Sequence, residues 1–245
     1  MNIMVIGGGG REHALIKKLR ENPTVDTVWC LPGNGGIAQD AECVPVKATD
    51  IDGICAFAAE HPVDFAVVAP DDPLALGAVD RLTAMGIECF GPAKNAALIE
   101  SSKAFAKALM KKYAIPTASF EVFDDMSAAL EYVDGHGAPL VVKADGLALG
   151  KGVIICRTTE EARAAVTAMM GEEHRFGKSG STVVIEELLE GPEVSVLSFT
   201  DGETVVPMIA SMDHKRAHDG DQGPNTGGMG VIAPNPFYTP EEAAR

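Results

Sequence analysis

The sequence lacks long apolar runs, paired-cysteine motifs and an excess of basic residues. Its apolar stretches, such as residues 65–70, are far shorter than the roughly 18 residues of a membrane-spanning helix. The five cysteines are widely separated and form no CxxC pair, which argues against a disulfide framework or a zinc site. Met1 leads directly into an apolar run without a basic flank, so we expect no signal peptide and a cytoplasmic protein.

Basic side chains are scarce, because 20 Lys and Arg oppose 35 Asp and Glu for a formal net charge of −15. Such a charge repels polyanions, so we expect neither nucleic acid nor an anionic membrane as a partner. Small phosphates are not excluded, since a few local groups suffice to hold them. The content of 46% hydrophobic and 22% charged residues indicates a folded globular chain of one large or two modest domains.

Strand-like and helix-like segments alternate over residues 1–92. A helix is expected to begin near Pro73 and to carry Leu74, Val79, Leu82 and Met85 on one face. This alternation predicts an α/β fold with a doubly wound, mostly parallel sheet, whose ligands lie at the carboxyl ends of the strands. The preceding predicted elements are strand 3–6, helix 11–20, strand 27–31, a helix capped by Asp50 and ending near Glu60, and strand 65–69.

The second part of the chain follows a different order. Helical segments reach residue 113, and residues 120–200 predict strand, helix, strand, glycine loop, strand, helix, strand, strand. Asp201-Gly202 predicts a two-residue hairpin turn, and residues 212–230 predict a long structureless loop. A capping box at residues 239–242 begins a helix that the chain does not finish, so we expect a fragment of a longer protein.

Four glycines, Gly7 to Gly10, follow the first strand. The dinucleotide fingerprint G-x-G-x-x-G fails here, because its sixth position is Glu12 or His13. Free N–H groups at a helix start, beside glycines that allow close approach, suit a phosphate monoester. The alternative is a tight strand–helix connection without a ligand.

The stretch VVKADGLALGKG, residues 141–152, combines a strand-end lysine with a glycine turn. It is not a P-loop, because Gly146 and Gly150 enclose three residues and Lys151 is followed by glycine. Lys143, Lys151 and the backbone N–H groups are positioned to surround a polyphosphate. A plain hairpin with a solvated lysine is the alternative.

Carboxylates and a polar segment follow farther along the chain. Glu186, Glu187 and Glu193 surround a strand end, where they are able to accept from an adenine amino group or ribose hydroxyls. In residues 212–230, Lys215 and Arg216 suit anionic substrate groups and Asp213 suits an amine. The histidines of this segment have the spacing of a helical zinc pair, but the surrounding glycine and proline oppose a helix.

Six motifs occur together in this sequence: GGGGREHAL at 7–15, PGNGG at 32–36, SKAFAK at 102–107, VVKADGLALGKGV at 141–153, DHKR at 213–216 and GPNTGGMG at 223–230. Together they resemble the phosphoribosylamine–glycine ligase (glycinamide ribonucleotide synthetase) family of ATP-grasp enzymes. The resemblance implies a pre-ATP-grasp domain over residues 1–101, then a partial ATP-grasp fold of α+β lobes over residues 102–245, incomplete at its C-terminal end.

The resemblance also implies an activity. ATP, glycine and 5-phosphoribosylamine give ADP, phosphate and glycinamide ribonucleotide in purine biosynthesis, through glycyl phosphate. Mg²⁺ or Mn²⁺ is implied as the metal, with its ligands beyond the end of this chain and none within it. Catalysis would consist of positioning and charge neutralisation.

Site residues are carried over from the family only where the motifs match. The residues implied at the reacting centre are Asp213, Lys215 and Arg216. Those implied for ATP are Lys103, Lys143, Gly146, Gly150, Lys151, Gly152, Glu186, Glu187, Leu189 and Glu193. Those implied for the phosphoribosylamine side and the reacting centre are Gly8, Gly9, Gly10, Asn34, Asn225, Thr226, Gly227 and Gly228.

The sequence departs from the family in three places. APDDP at 69–73 replaces a GPE-like motif, Leu149 replaces a common alanine, and no RFGDPE-like segment occurs. The absent segment would supply the magnesium ligands and an arginine near glycine, so we expect this chain alone to bind ATP without completing the reaction. Two alternatives remain, another ATP-grasp carboxylate–amine ligase that uses formate and a nucleotide-binding module without turnover.

Overall fold

The computed structural model describes residues 1–147, 152–171, 180–220 and 222–244. The chain divides into two compact units, residues 1–115 and residues 116–245. The sequence-based division between residues 101 and 102 stays a prediction. Among the described residues, no helix has the length and apolar character needed to cross a membrane.

The first unit is built on a five-stranded parallel sheet in the order β3-β2-β1-β4-β5. The strands are β1 (Asn2–Gly7), β2 (Thr27–Pro32), β3 (Glu42–Cys43), β4 (Phe65–Val68) and β5 (Glu88–Phe90). The helices are α1 (Gly10–Arg20), α2 (Ile51–Glu60), α3 (Asp71–Leu76), α4 (Ala78–Ala84), α5 (Leu98–Ser101) and α6 (Lys103–Lys112), with a 3₁₀ turn at Ile37–Gln39.

Alternate residues of β1 pack in two different hydrophobic clusters. Ile3 and Val5 pack in one cluster with Ile16 of α1, whereas Met4 and Ile6 pack in another with residues of α2, α3 and α4. Because successive strand side chains point to opposite faces, helices cover both faces of the sheet. The predicted doubly wound parallel sheet is confirmed.

Two local predictions in this unit have different outcomes. Asp50 caps α2 as expected, because its side chain accepts from the Gly53 N–H. The single helix expected from Pro73 to Met85 is wrong, since Gly77 separates α3 from α4 with φ +90°. A left-handed residue ends a helix, so the periodic apolar pattern continues across a break that periodicity alone does not show.

The second unit contains a four-stranded antiparallel sheet in the order β6-β9-β7-β8. Helices α7 and α8 contribute Val133, Ala162 and Val166 to the same core as Leu140 and Ile185 of the sheet. The elements are β6 (Phe120–Phe123), α7 (Met126–His136), β7 (Leu140–Ala144), β8 (Val153–Cys156), α8 (Thr159–Met170), β9 (Val183–Glu187), β10 (Ser198–Thr200), β11 (Val205–Pro207), β12 (Met212–His218), β13 (Gln222–Ile232) and α9 (Pro240–Ala243).

The element order predicted for residues 120–200 is confirmed, but the predicted two-residue turn at Asp201-Gly202 is wrong. Thr200 pairs with Val205, so four residues, and not two, connect β10 to β11. The Asp201 carboxylate accepts from the N–H groups of Glu203 and Thr204, which stabilises this longer turn.

β12 and β13 form an antiparallel pair where the sequence predicted a structureless loop over residues 212–230. β12 and β13 pair with register shifts between His214 and Arg216 and between Arg216 and His218. Glycine-rich, polar segments have low strand propensity by composition. This segment nevertheless forms a β-ladder with bulges, and the pairing is visible only in the folded structure.

Candidate active site

The glycine turn after β1 uses one of its own N–H groups internally. Gly9 caps α1, and its N–H donates to Glu12 Oε2 at 2.5 Å while Glu12 is only 6% exposed. The expectation of a free N–H group therefore fails at Gly9. The substrate-binding roles of Gly8, Gly9 and Gly10 stay predictions.

Asn34 and Gly8 lie together at the carboxyl ends of β1 and β2. Asn34 Nδ2 donates to the Gly8 carbonyl at 2.8 Å, and its Oδ1 accepts from the N–H groups of Gly36 and Ile37 at 2.7 and 2.9 Å. A Cβ on Gly8 would lie 2.7 Å from the Gly33 carbonyl oxygen. Asn34 thus holds two loops in close approach, and a contact to substrate would add to that role.

His13 is a neighbouring polar group that sequence reasoning did not select. Its Nε2 lies 2.7 Å from Asp40 Oδ2, and this hydrogen bond lowers the pKa of the Asp40 carboxyl. A Cβ on Gly36 would lie 3.3 Å from the His13 ring, so the ring lies against the PGNGG loop. The position of His13 one turn after the glycines was the available sequence signal.

Lys103 is the first residue of α6, after the N-cap Ser102, whose hydroxyl accepts from the Phe105 N–H. A cation at a helix N-terminus opposes the positive end of the helix dipole. The ATP-binding role of Lys103 stays a prediction.

Lys143 and Glu186 project from the face of the antiparallel sheet that α7 and α8 do not cover. Lys143 pairs in register with Val184 and Glu186 with Val141, so the two charged side chains are diagonal neighbours. Lys143 Nζ lies 3.0 Å from Glu186 Oε2, and Glu186 is 4% exposed. The structure brings these two predicted ATP residues together as a partly buried ion pair.

The remaining predicted ATP residues near this sheet have different surroundings. Glu187 ends β9 and accepts from the Ser119 N–H through Oε1, whereas Leu189 is 67% exposed. The β7–β8 turn begins with Asp145 and Gly146, and Gly152 accepts from the Ala144 N–H. Gly150 and Lys151 of the predicted phosphate loop lie outside the described residues, as does Leu149.

Glu193, Lys215 and Asp213 form a charged cluster. Lys215 Nζ donates to Glu193 Oε1 and lies 3.4 Å from Asp213 Oδ2. Burial disfavours the ammonium, but the hydrogen bond and charge of Glu193, with a further contribution from Asp213, raise the pKa of Lys215. Asp213 Oδ1 is buried and has no hydrogen-bond partner among the described residues. The cluster joins a predicted ribose contact to the predicted reacting centre.

The hairpin residues act mainly on the backbone. Arg216 Nη1 donates to the Gly223 carbonyl at 2.7 Å, and the Thr226 hydroxyl donates to the Lys215 carbonyl at 2.8 Å. Gly228 approaches Asp213 so closely that a Cβ would lie 3.0 Å from Oδ1. Asn225 and Gly227 belong to β13. Catalytic or binding roles for these residues stay predictions.

Buried Asn235 is the second polar residue that sequence reasoning did not select. It is 5% exposed, and its side chain donates to the carbonyls of Glu193 and Ser211. Its place between two prolines, in APNPF, was a turn signal without a functional one.

A parallel α/β unit followed by an antiparallel sheet, with helices on one face and a lysine on the other, is the architecture of an ATP-grasp protein. The biotin carboxylase of Campylobacter jejuni has a similar fold, with a TM-score of 0.72 over 88% of this chain and 51% of that chain at 18% identity.

The family models narrow this class. Residues 1–100 match the phosphoribosylglycinamide synthetase N domain, and residues 101–245 match the phosphoribosylglycinamide synthetase ATP-grasp (A) domain. The chain belongs to the phosphoribosylglycinamide synthetase family.

Individual relatives agree with the family models. The chain is 50% identical to a phosphoribosylamine–glycine ligase of Halalkalibacterium halodurans over 98% of this chain, and 51% identical to one of Ralstonia nicotianae over 100%. The structure of phosphoribosylamine–glycine ligase from Thermotoga maritima matches 94% of this chain with a TM-score of 0.80 at 36% identity, and 55% of that chain is covered. The chain spans 56% and 58% of the lengths of the two curated relatives.

The described residues do not fit a resident divalent metal ion. Within residues 1–147, 152–171, 180–220 and 222–244, no group of three or more His, Cys, Asp or Glu side chains is placed to hold one. Carboxylate oxygens are the ligands that Mg²⁺ prefers, and one oxygen of Glu186 and one of Glu193 are each bound to a lysine. We therefore derive no step through a metal ion.

Proposed function

We propose that this chain binds ATP, with charged groups of its second unit among the contacts, and serves the ATP-dependent joining of glycine to 5-phosphoribosylamine. The observation that carries the proposal is the Glu193–Lys215–Asp213 cluster, in which one lysine contacts both carboxylates. Glu193 is the predicted ribose contact, and Asp213 and Lys215 are the predicted reacting-centre residues. Family membership and the names of the relatives support the substrates.

The roles of the charged groups follow from their surroundings. Lys143, on the sheet face opposite α7 and α8, would bind a phosphate oxygen, and its pairing with Glu186 holds the ammonium in place before ATP enters. Glu193 would accept from the ribose hydroxyls in exchange for Lys215. This exchange leaves Lys215 able to neutralise an anionic oxygen at the reacting centre.

The carboxylate of Asp213 is suited to bind the amine of a substrate. Its buried Oδ1, which no described group satisfies, is an acceptor for an ammonium or amine N–H. The glycine carboxylate oxygen would attack the γ-phosphorus as the bond to ADP breaks. The ribosylamine nitrogen would then attack the acyl carbon, lose a proton and expel phosphate.

Two measurements test the proposal. Titration calorimetry of the 245-residue chain with ATP should show binding, with GTP as the nucleotide control. Phosphate release that depends on both glycine and 5-phosphoribosylamine should appear in a chain that also carries the remaining length of the relatives. Equal release with formate in place of glycine would favour a different carboxylate–amine ligase, and absent ATP binding would contradict the proposal.

A further inference from the structure

Asn235 ties together three separate segments of the second unit. Its Nδ2 donates to the Glu193 carbonyl at 2.9 Å and to the Ser211 carbonyl at 3.1 Å, while its Oδ1 accepts from the Phe237 N–H at 2.9 Å. Its own N–H donates to the Ala210 carbonyl at 2.8 Å. Both amide hydrogens are thus used, and the side chain is 5% exposed.

The partners of Asn235 flank the charged cluster on both sides. Glu193 supplies the carboxylate that binds Lys215, and it follows Gly191-Pro192, outside the named strands and helices. Ser211 immediately precedes β12, which carries Asp213 and Lys215, and it exchanges backbone hydrogen bonds with Ser195. One buried amide therefore joins the main chain on the Glu193 side to the main chain on the Lys215 side.

A mobile backbone at Glu193 would weaken any contact of its carboxylate. The carboxylate is half-exposed and sits on a segment without its own ladder, so its position depends on what holds its main chain. A buried side-chain amide with its donors satisfied rigidifies the backbone that it binds. This is the general way in which a residue that does not touch a ligand positions one that does.

From these contacts we infer that Asn235 is a positioning residue for the nucleotide ribose, acting through the main chain of Glu193. The inference rests on the proposed function, because it assumes that Glu193 accepts from the ribose hydroxyls of ATP. The side-chain hydrogen bonds of Asn235 to described residues go to Glu193, Ser211 and Phe237, so it would act on the nucleotide only through Glu193. Its effect should consequently disappear when the nucleotide has no ribose hydroxyls for Glu193 to bind.

Titration calorimetry with ATP and with 2′,3′-dideoxy-ATP separates positioning from a general structural role. Asn235→Ala should weaken ATP binding by about three- to tenfold, the range of one hydrogen bond, and change dideoxy-ATP binding by less than about twofold. In a Glu193→Ala background, which has no side-chain acceptor for the ribose, Asn235→Ala should add little to the loss. Thr239→Ala is the matched control, because it removes the cap of α9 four residues later without a bond to Glu193.

The possible outcomes are distinct. Equal weakening of ATP and dideoxy-ATP binding by Asn235→Ala, or full additivity with Glu193→Ala, overturns the positioning role while the proposed function stands. Wild-type chain that binds no ATP overturns the proposed function and this role with it. If Asn235→Ala does not fold, Asn235→Ser keeps a small polar group, and the same selective loss for ATP is expected of it.

Discussion

The glycine turn of the first unit and the charged cluster of the second use polar side chains in different ways. Around β1, Glu12 and Asn34 bind backbone groups, which fixes the loops. Around β12, Glu193, Asp213 and Lys215 bind one another. A hydrogen bond from a side chain to the backbone is lost only if the loop moves. An ion pair between two side chains is broken when the side chains rotate, and each charge is then able to bind a ligand instead.

This difference indicates how the two regions would meet their ligands. The first presents a preformed loop arrangement whose shape depends on glycine and on close backbone contacts. The second presents charges that are already paired, so binding replaces one partner by another and leaves no charge alone. Preorganised shape and exchangeable charge are two ways to limit the cost of binding.

The largest effect should come from breaking the Lys143–Glu186 ion pair, on the sheet face opposite α7 and α8. Lys143→Ala removes the ammonium from beside the buried Glu186 carboxylate, so we expect a loss of about 2 kcal/mol of unfolding free energy. ATP affinity should fall by about 1.5–3 kcal/mol. Urea unfolding and calorimetry measure the two. The double variant Lys143→Met/Glu186→Gln should recover stability without ATP affinity, and recovery of both would contradict the assignment of Lys143.

Adding one methyl group tests the preformed shape of the first region. Gly8→Ala places a Cβ 2.7 Å from the Gly33 carbonyl oxygen, a backbone atom that cannot turn aside. We expect a loss of about 1–3 kcal/mol in urea unfolding. Gly10→Ala is the matched control, because nothing lies within 4 Å of its Cβ and its effect should stay within about 0.5 kcal/mol. Equal losses would show that the close approach does not matter.

Alkaline pH should destabilise the first unit through ionisation of the Cys30 thiol. Burial, together with the charges of Cys43 and Glu12, raises the pKa of this thiol from 9.0 to about 12, and the thiol donates to the Gly7 carbonyl. Because the pKa of this thiol is higher in the folded than in the unfolded protein, its contribution to stability is complete below the unfolded-state pKa. The free energy of unfolding therefore falls as the pH rises from 9.0 towards 12. Urea unfolding between pH 8 and pH 11 should show a steeper loss than in Cys30→Ala. Parallel curves would refute this.

The smallest effect concerns the hairpin beneath the charged cluster. Thr226→Val removes a hydroxyl that donates to the Lys215 carbonyl and accepts from the Gly228 N–H. We expect a loss of about 1 kcal/mol in thermal unfolding. Thr200→Val, in the more exposed β10–β11 hairpin, removes one bond to Gly202 and should cost less than about 0.5 kcal/mol. The reverse order would mean that the cluster does not depend on this hydroxyl.

The spacing of apolar residues predicted most of the strands and helices, because a buried strand or helix face requires apolar side chains at regular positions. The alternation in β1 and the cap of α2 depend on residues close in sequence, so they were readable before any tertiary structure. The break at Gly77 and the hairpin of residues 212–232 were missed. Each of these depends on a backbone conformation or a distant pairing that composition does not encode.

The sequence by itself determined the family, the doubly wound sheet and the identity of the charged residues that carry the proposed chemistry. Motif spacing and apolar periodicity are properties of the amino-acid sequence, so they can be identified without a structure. Tertiary structure alone decided which charges are partners. The Lys143–Glu186 pair, the Glu193–Lys215 pair and the position of Asn235 each join residues 22 to 43 positions apart. Such contacts form only when strands pair and loops close, because side chains reach a few ångströms and the chain must bring them there.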